Sequence, residues 1–210
     1  MAYSLLENFD DIIKQHIAPY LKKHGFKKQN LNFYKTEGDV KFMFNFQKNK
    51  YNSVDWVGFF INCGIYSQTV IHTIGENVLP NPKEYECLYQ NRINHLSGSN
   101  NKEFELLSNH EQHKTEIANK VINELEKAIS FYNNIKSNDD LVDLCIQEMT
   151  YFWRELFAYL AIQKDETRIK KYAQQYSIIF KEDGRKQFFE DEINKILTKY
   201  QVSSIKFETE

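Results

Sequence analysis

The stretch Gly25–Tyr66 (GFKKQNLNFYKTEGDVKFMFNFQKNKYNSVDWVGFFINCGIY) constrains the fold most, because the hydrophobic period changes there from helical to alternating. Ahead of it, Leu5, Phe9, Ile12, Ile13, Ile17, Tyr20 and Leu21 recur at helical spacing behind an S-x-x-E capping box formed by Ser4 and Glu7. The spacing predicts a helix over Ser4–His24. Pro19 is expected to kink it or mark a restart, and Gly25-Phe26 to stop it in a left-handed turn. Beyond the stop, Leu31–Lys35, a turn at Glu37-Gly38-Asp39 and Val40–Lys48 predict a hairpin. Its second strand sends Val40, Phe42, Phe44 and Phe46 to one face and Lys41, Met43, Asn45 and Gln47 to the other. In the next strand, Trp56–Tyr66, Val57, Phe59, Ile61, Cys63 and Ile65 face opposite to Trp56, Gly58, Phe60, Asn62, Gly64 and Tyr66.

After a loop over Gly75–Pro82, a fourth strand is expected at Cys87–Leu96, and the SGSNN turn leads to a short fifth at Phe104–Leu107. Ser108 and Glu111 make a second capping box, and Ile117, Val121, Leu125, Ala128, Ile129 and Tyr132 define a long amphipathic helix suited to cover the Phe-rich face. From Asp139 the pattern is helical: DLVDLC, Met149–Gln163, Asp165–Phe180 and Gly184–Tyr200. The fold class is α+β: an antiparallel sheet of four to five strands packed by an N-terminal helix and a long amphipathic helix, then a C-terminal helical extension. The expected division is a sheet domain over residues 1–135 with the helical extension over 136–210 packed on it.

Aromatic content of 15% argues against disorder, and 27% charge with a mean hydropathy of -0.62 argues for a water-soluble surface. No apolar run reaches the ~20 residues of a membrane span, and the start does not read as a signal peptide, so a cytoplasmic protein away from membranes is expected. Cys63, Cys87 and Cys145 share no CxxC-type spacing, which fits reduced, buried thiols. Residues 1–60 carry nine Lys against six Asp and Glu, while the net charge of the whole chain is -2. The cluster Lys22, Lys23, Lys27 and Lys28 reads as a solvated helix end whose cations complement the helix dipole, rather than a nucleic-acid footprint.

GF followed by KK, then NFY, NFQK and FFINCGIY, with RINHL near residue 92, resembles an uncharacterised bacterial family catalogued as domain of unknown function 4304. The resemblance covers Leu5–Leu107 well and the helical remainder loosely. It implies an α+β domain with no assigned activity.

Candidate chemistry is sparse. His110-Glu111-Gln112-His113 falls one residue short of the HExxH spacing that zinc sites use; no P-loop, GxGxxG or G-x-S-x-G turn occurs; no metal or cofactor is expected. Asp10-Asp11, Asp139-Asp140 and Glu190-Asp191-Glu192 read as helix starts or solvated faces. Tyr151, Phe152, Trp153, Phe157 and Tyr159 surround more than one side of a helix, the pattern of a buried helix. The face opposite the Phe row is different: Asn45, Gln47, Trp56, Asn62 and Tyr66 mix aromatic platforms with amides, and Arg92, one of four Arg against 23 Lys, joins them with Gln90 and Asn94 if the strand register holds. These residues make up the candidate binding face. The sequence favours a non-enzymatic protein-binding module, immunity-like or antitoxin-like. The alternative is an enzyme or small-molecule-binding protein with a site between sheet and helices.

Overall fold

Alternation in the strands and helical spacing around them produce the architecture. A computed structural model describes residues 5–107 and 110–207; the capping boxes expected at Ser4 and Ser108 lie outside the described residues. In chain order the elements are α1 (Leu5–Ile12), a π turn (Ile13–Ile17), α2 (Ala18–Lys23), β1 (Lys27–Gln29), β2 (Asn32–Glu37), β3 (Val40–Lys48), β4 (Val57–Ser67) and α3 (Gln68–His72). There follow a 3-10 turn (Glu84–Glu86), β5 (Tyr89–Arg92), α4 (Ile93–Ser97), β6 (Phe104–Leu106), α5 (Glu111–Tyr132), α6 (Asn138–Gln147), α7 (Trp153–Ile162), α8 (Glu166–Glu182) and α9 (Lys186–Lys199). The chain divides into two compact units: residues up to Tyr66 with Asn81–Ser137, and Ser67–Pro80 with the chain from Asn138.

In the first unit the strands form a six-stranded antiparallel sheet in the order β1-β2-β3-β4-β5, with β6 also paired to β4. β5 pairs with residues 62–65 of β4 and β6 with residues 57–59. Four elements refine the sequence expectations. Pro19 lacks the N–H that a continuous α-helix needs, and the π turn just before it absorbs the mismatch. Lys27 and Lys28 belong to β1, an exposed three-residue edge strand, and only Lys22 and Lys23 stand in the last helical turn. The strand expected at Cys87–Leu96 ends at Arg92, and Ile93–Ser97 turns helical, closed by Gly98 in the left-handed region at φ 67°. Asn94 is therefore a helical residue.

The Phe row faces the helices. Phe42, Phe44, Phe46 and Phe59 are fully buried, with Phe9 of α1 edge-on to Phe59 at 4.9 Å and Phe104 stacked on it at 5.3 Å. Tyr132, near the end of α5, lies 4.9 Å from Phe42 and 5.1 Å from Phe44, and its hydroxyl donates to the Met43 carbonyl at 2.8 Å. The apolar side of α5 (Ile117, Ala118, Val121, Leu125, Ala128, Ile129) is buried along its length.

The second unit is helical. Phe189 of α9 gathers Phe180 at 4.8 Å, Trp153 at 5.2 Å, Tyr176 at 5.9 Å and Phe157 at 6.1 Å, so the aromatic helix α7 is buried; Tyr151, ahead of it, is exposed. Arg168 of α8 is held by Asp139 at 2.5 Å, Asp143 at 3.2 Å and Asp165 at 2.6 Å, and the Tyr172 hydroxyl donates to Asp143 at 2.9 Å. α3 joins this unit: Val70 and Ile71 are buried, Thr73 Oγ1 donates to the Glu155 carbonyl at 3.3 Å, and the Tyr200 hydroxyl donates to the Thr73 carbonyl.

Candidate functional site

Pairing places the polar residues of β2, β3, β4 and β5 on one face. Asn32 stands opposite Asn45, and Asn62 opposite Arg92; directly opposed residues in antiparallel strands share a side. The side chains connect into a ladder across four strands. Asn45 Nδ2 donates to Asn32 Oδ1 at 2.6 Å, Asn62 Nδ2 donates to Asn45 Oδ1 at 2.9 Å and to Gln47 Oε1 at 3.1 Å, and Arg92 Nη1 donates to Gln47 Oε1 at 3.3 Å. Amides running along a pleated surface align one another in this way and fix where the terminal guanidinium lies.

Arg92 is the least committed member of the ladder. Its guanidinium carbon lies 4.4 Å from the Phe60 ring centroid, a cation–π stack, and among the described residues no carboxylate forms an ion pair with it. Burial draws its pKa below the usual guanidinium value, while the more distant Glu84 and Glu103 carboxylates pull it back up. Glu103 is engaged by Asn49 Nδ2 at 2.6 Å. Two clefts flank the arginine. One, of about 230 Å³, is lined by Asn62, Glu84, Gln90 and Asn91; the other, of about 360 Å³, by Phe60, Asn94, His95 and Lys102.

Of the residues singled out by sequence, Asn45, Gln47, Asn62 and Arg92 come together in the ladder. Trp56 stands half-buried just before β4, its indole over Gly58, where a Cβ would come within 2.7 Å of the ring. Tyr66 is buried at 1% exposure and presents nothing at the surface. Asn32 was missed; its signal was the hairpin register, which puts it opposite Asn45. Phe60 belongs to the site as the platform of Arg92.

Part of the polar face is covered by a segment that sequence reasoning left as loop. The Tyr34 hydroxyl donates to the Pro82 carbonyl at 3.1 Å, and Cys87 lies on Gly64 beside Met43, which is fully buried. A Cβ on Gly64 would stand 2.6 Å from Cys87 Sγ, so only glycine admits the crossing segment. The cysteines are free and buried; burial raises the Cys63 thiol strongly and the Cys145 thiol to about 12. His113 accepts the Leu107 N–H on Nε2 at 3.2 Å, and among the described residues no group of His, Cys, Asp and Glu is arranged to hold a metal ion. No described helix is long and apolar enough to cross a membrane.

The model of a family described as Domain of unknown function (DUF4304) matches residues 17–135, from the end of the π turn to just past α5. No curated protein and no solved structure matches the chain. With over half of its length matched, the chain belongs to the DUF4304 family.

Proposed function

We propose that this protein is a non-enzymatic binding module, immunity-like or antitoxin-like, that engages a partner protein through the open part of the polar sheet face, with Arg92 at the centre and Trp56 at the flank. The observation that carries this reading is the Arg92 guanidinium stacked 4.4 Å from Phe60 with one 3.3 Å hydrogen bond to Gln47. An arginine held in place by an aromatic platform and an amide ladder, its remaining N–H donors unclaimed among the described residues, has the character of an interface hot spot. The cleft of about 230 Å³ beside Asn62 and Gln90 supports a protein contact over a substrate site there, because it falls below the roughly 300–1,000 Å³ of small-molecule sites. Cytoplasmic residence fits the three free, buried thiols.

The test is affinity capture from a lysate of the source cells with the wild type, Arg92→Ala, Trp56→Ala and the exposed control Lys195→Ala. A partner held by the wild type and control should be released by Arg92→Ala, as loss of a hot spot costs about 2 kcal/mol or more, roughly thirtyfold in affinity. Equal capture by all four proteins would sink the assignment of this face.

A further inference from the structure

The crossing segment leaves a second polar region uncovered at the β1–β2–β3 end of the sheet. Register defines it: Lys27 stands opposite Tyr34 and Lys41 opposite Thr36, so these four side chains share the face of Asn45 rather than that of the Phe row. They line a cavity of about 450 Å³, which Lys28 joins from the edge strand and Asn81 from the start of the crossing segment. Among the described residues no Asp or Glu lines it. Two lysines of this face, Lys27 and Lys41, therefore stand at a concave space inside the roughly 300–1,000 Å³ range of small-molecule sites, while Lys28, opposite Phe33, projects to the other side of the sheet and meets the cavity only at its edge.

We propose that this cavity binds a small phosphorylated metabolite, its phosphate held by Lys27 and Lys41 and its organic part in the remaining space. Ammonium groups act as compact point charges that suit the several oxygens of a phosphate, and a dianion matches the two cations in charge where a single carboxylate matches one. Thr36 adds a neutral hydroxyl donor. Asn81 adds an amide. The Tyr34 hydroxyl already donates to Pro82, which leaves it an acceptor and fixes the wall of the site. Lys41 is half-buried, and desolvation lowers its pKa, so an anion beside it favours the charged form. Glu84 and Glu86 act on Tyr34 from the 3-10 turn without lining the cavity, and their charge favours a single phosphate over a polyphosphate chain.

The site is independent of Arg92, so the two proposals fail separately. Isothermal titration and thermal-shift measurements with orthophosphate, glucose 6-phosphate and AMP, in chloride buffer of matched ionic strength, test it. Glucose 6-phosphate or AMP should bind saturably and more tightly than orthophosphate. Lys27→Gln and Lys41→Gln should each weaken binding by at least about tenfold, with the exposed control Lys195→Ala unchanged. Lys27 is an exposed edge-strand residue, so Lys27→Gln keeps the test decisive if Lys41→Gln does not fold. Absence of saturable binding by all three probes, binding of orthophosphate alone, or an affinity that Lys27→Gln leaves untouched would each overturn the proposal.

Discussion

Replacing Gly64 with alanine tests whether the crossing segment is seated as tightly as its geometry says. The new methyl carbon would stand 2.6 Å from Cys87 Sγ, 2.9 Å from Met43 Cγ and 3.1 Å from Cys87 Cβ. Comfortable carbon contacts lie at about 3.5–4.0 Å, so Cys87 must retreat by about 1 Å. Met43 is fully buried and Cys87 Sγ is 3.5 Å from the Lys83 carbonyl, so neither neighbour has open space to enter. Overpacking of this kind costs about 1–3 kcal/mol. Amide hydrogen exchange followed peptide by peptide should show β4 and β5 exchanging roughly 5–150 times faster in Gly64→Ala, the range that corresponds to that cost. Cys87→Ala alone should cost only about 1 kcal/mol for the lost buried thiol. In the double variant the clash with sulfur is gone, so the two costs should fall short of their sum by about 1 kcal/mol. A neutral Gly64→Ala, or strict additivity in the double variant, would refute the argument that sulfur and glycine are matched across this contact.

Arg168→Lys should destabilise the helical unit by about 1–3 kcal/mol, because one ammonium cannot replace a fork that reaches Asp139, Asp143 and Asp165 together; urea unfolding measures it, and added salt should shrink the loss by screening the crowded carboxylates. Glu155 supplies a pH dependence of known sign. Burial lifts its carboxyl from 4.5 to about 7, so between those values the folded state keeps a proton that the unfolded state has released. Stability should therefore fall as pH rises through that window, and Glu155→Gln should flatten the profile in thermal unfolding; an unchanged slope would exclude Glu155 as its source.

The large elements were legible in the sequence because their periods are sustained. Val40 to Phe46 alternates without interruption, and Ile117 to Tyr132 keeps helical spacing over several turns, so strand faces and the covering helix followed directly. Short elements carried no period to read. β1 has three residues, all exposed, and exists through backbone pairing to Asn32, Phe33 and Tyr34. RINHL reads as a strand in isolation, yet its last four residues belong to α4, which ends where Gly98 takes up positive φ. For the candidate face, the amides and Arg92 were legible through register, whereas the cover over Gly64 and Met43 was not, since the loop ahead of β5 gives no sustained apolar pattern. Gly58 and Gly64 in a central strand were the available clue, as strand glycines mark close approach by something else.

The path of the chain through α3 imposes an order on its synthesis. Val70 and Ile71 emerge long before α7, whose Glu155 carbonyl accepts the Thr73 hydroxyl, and before Tyr200, which donates to Thr73. Until those later residues leave the ribosome, this short helix has no hydrophobic home, and a nascent chain halted after Ser137 would display it to chaperones or proteases. A fragment cut to the matched residues 17–135 would carry α3 without α7 and Tyr200, the residues that hold Thr73 in the whole chain.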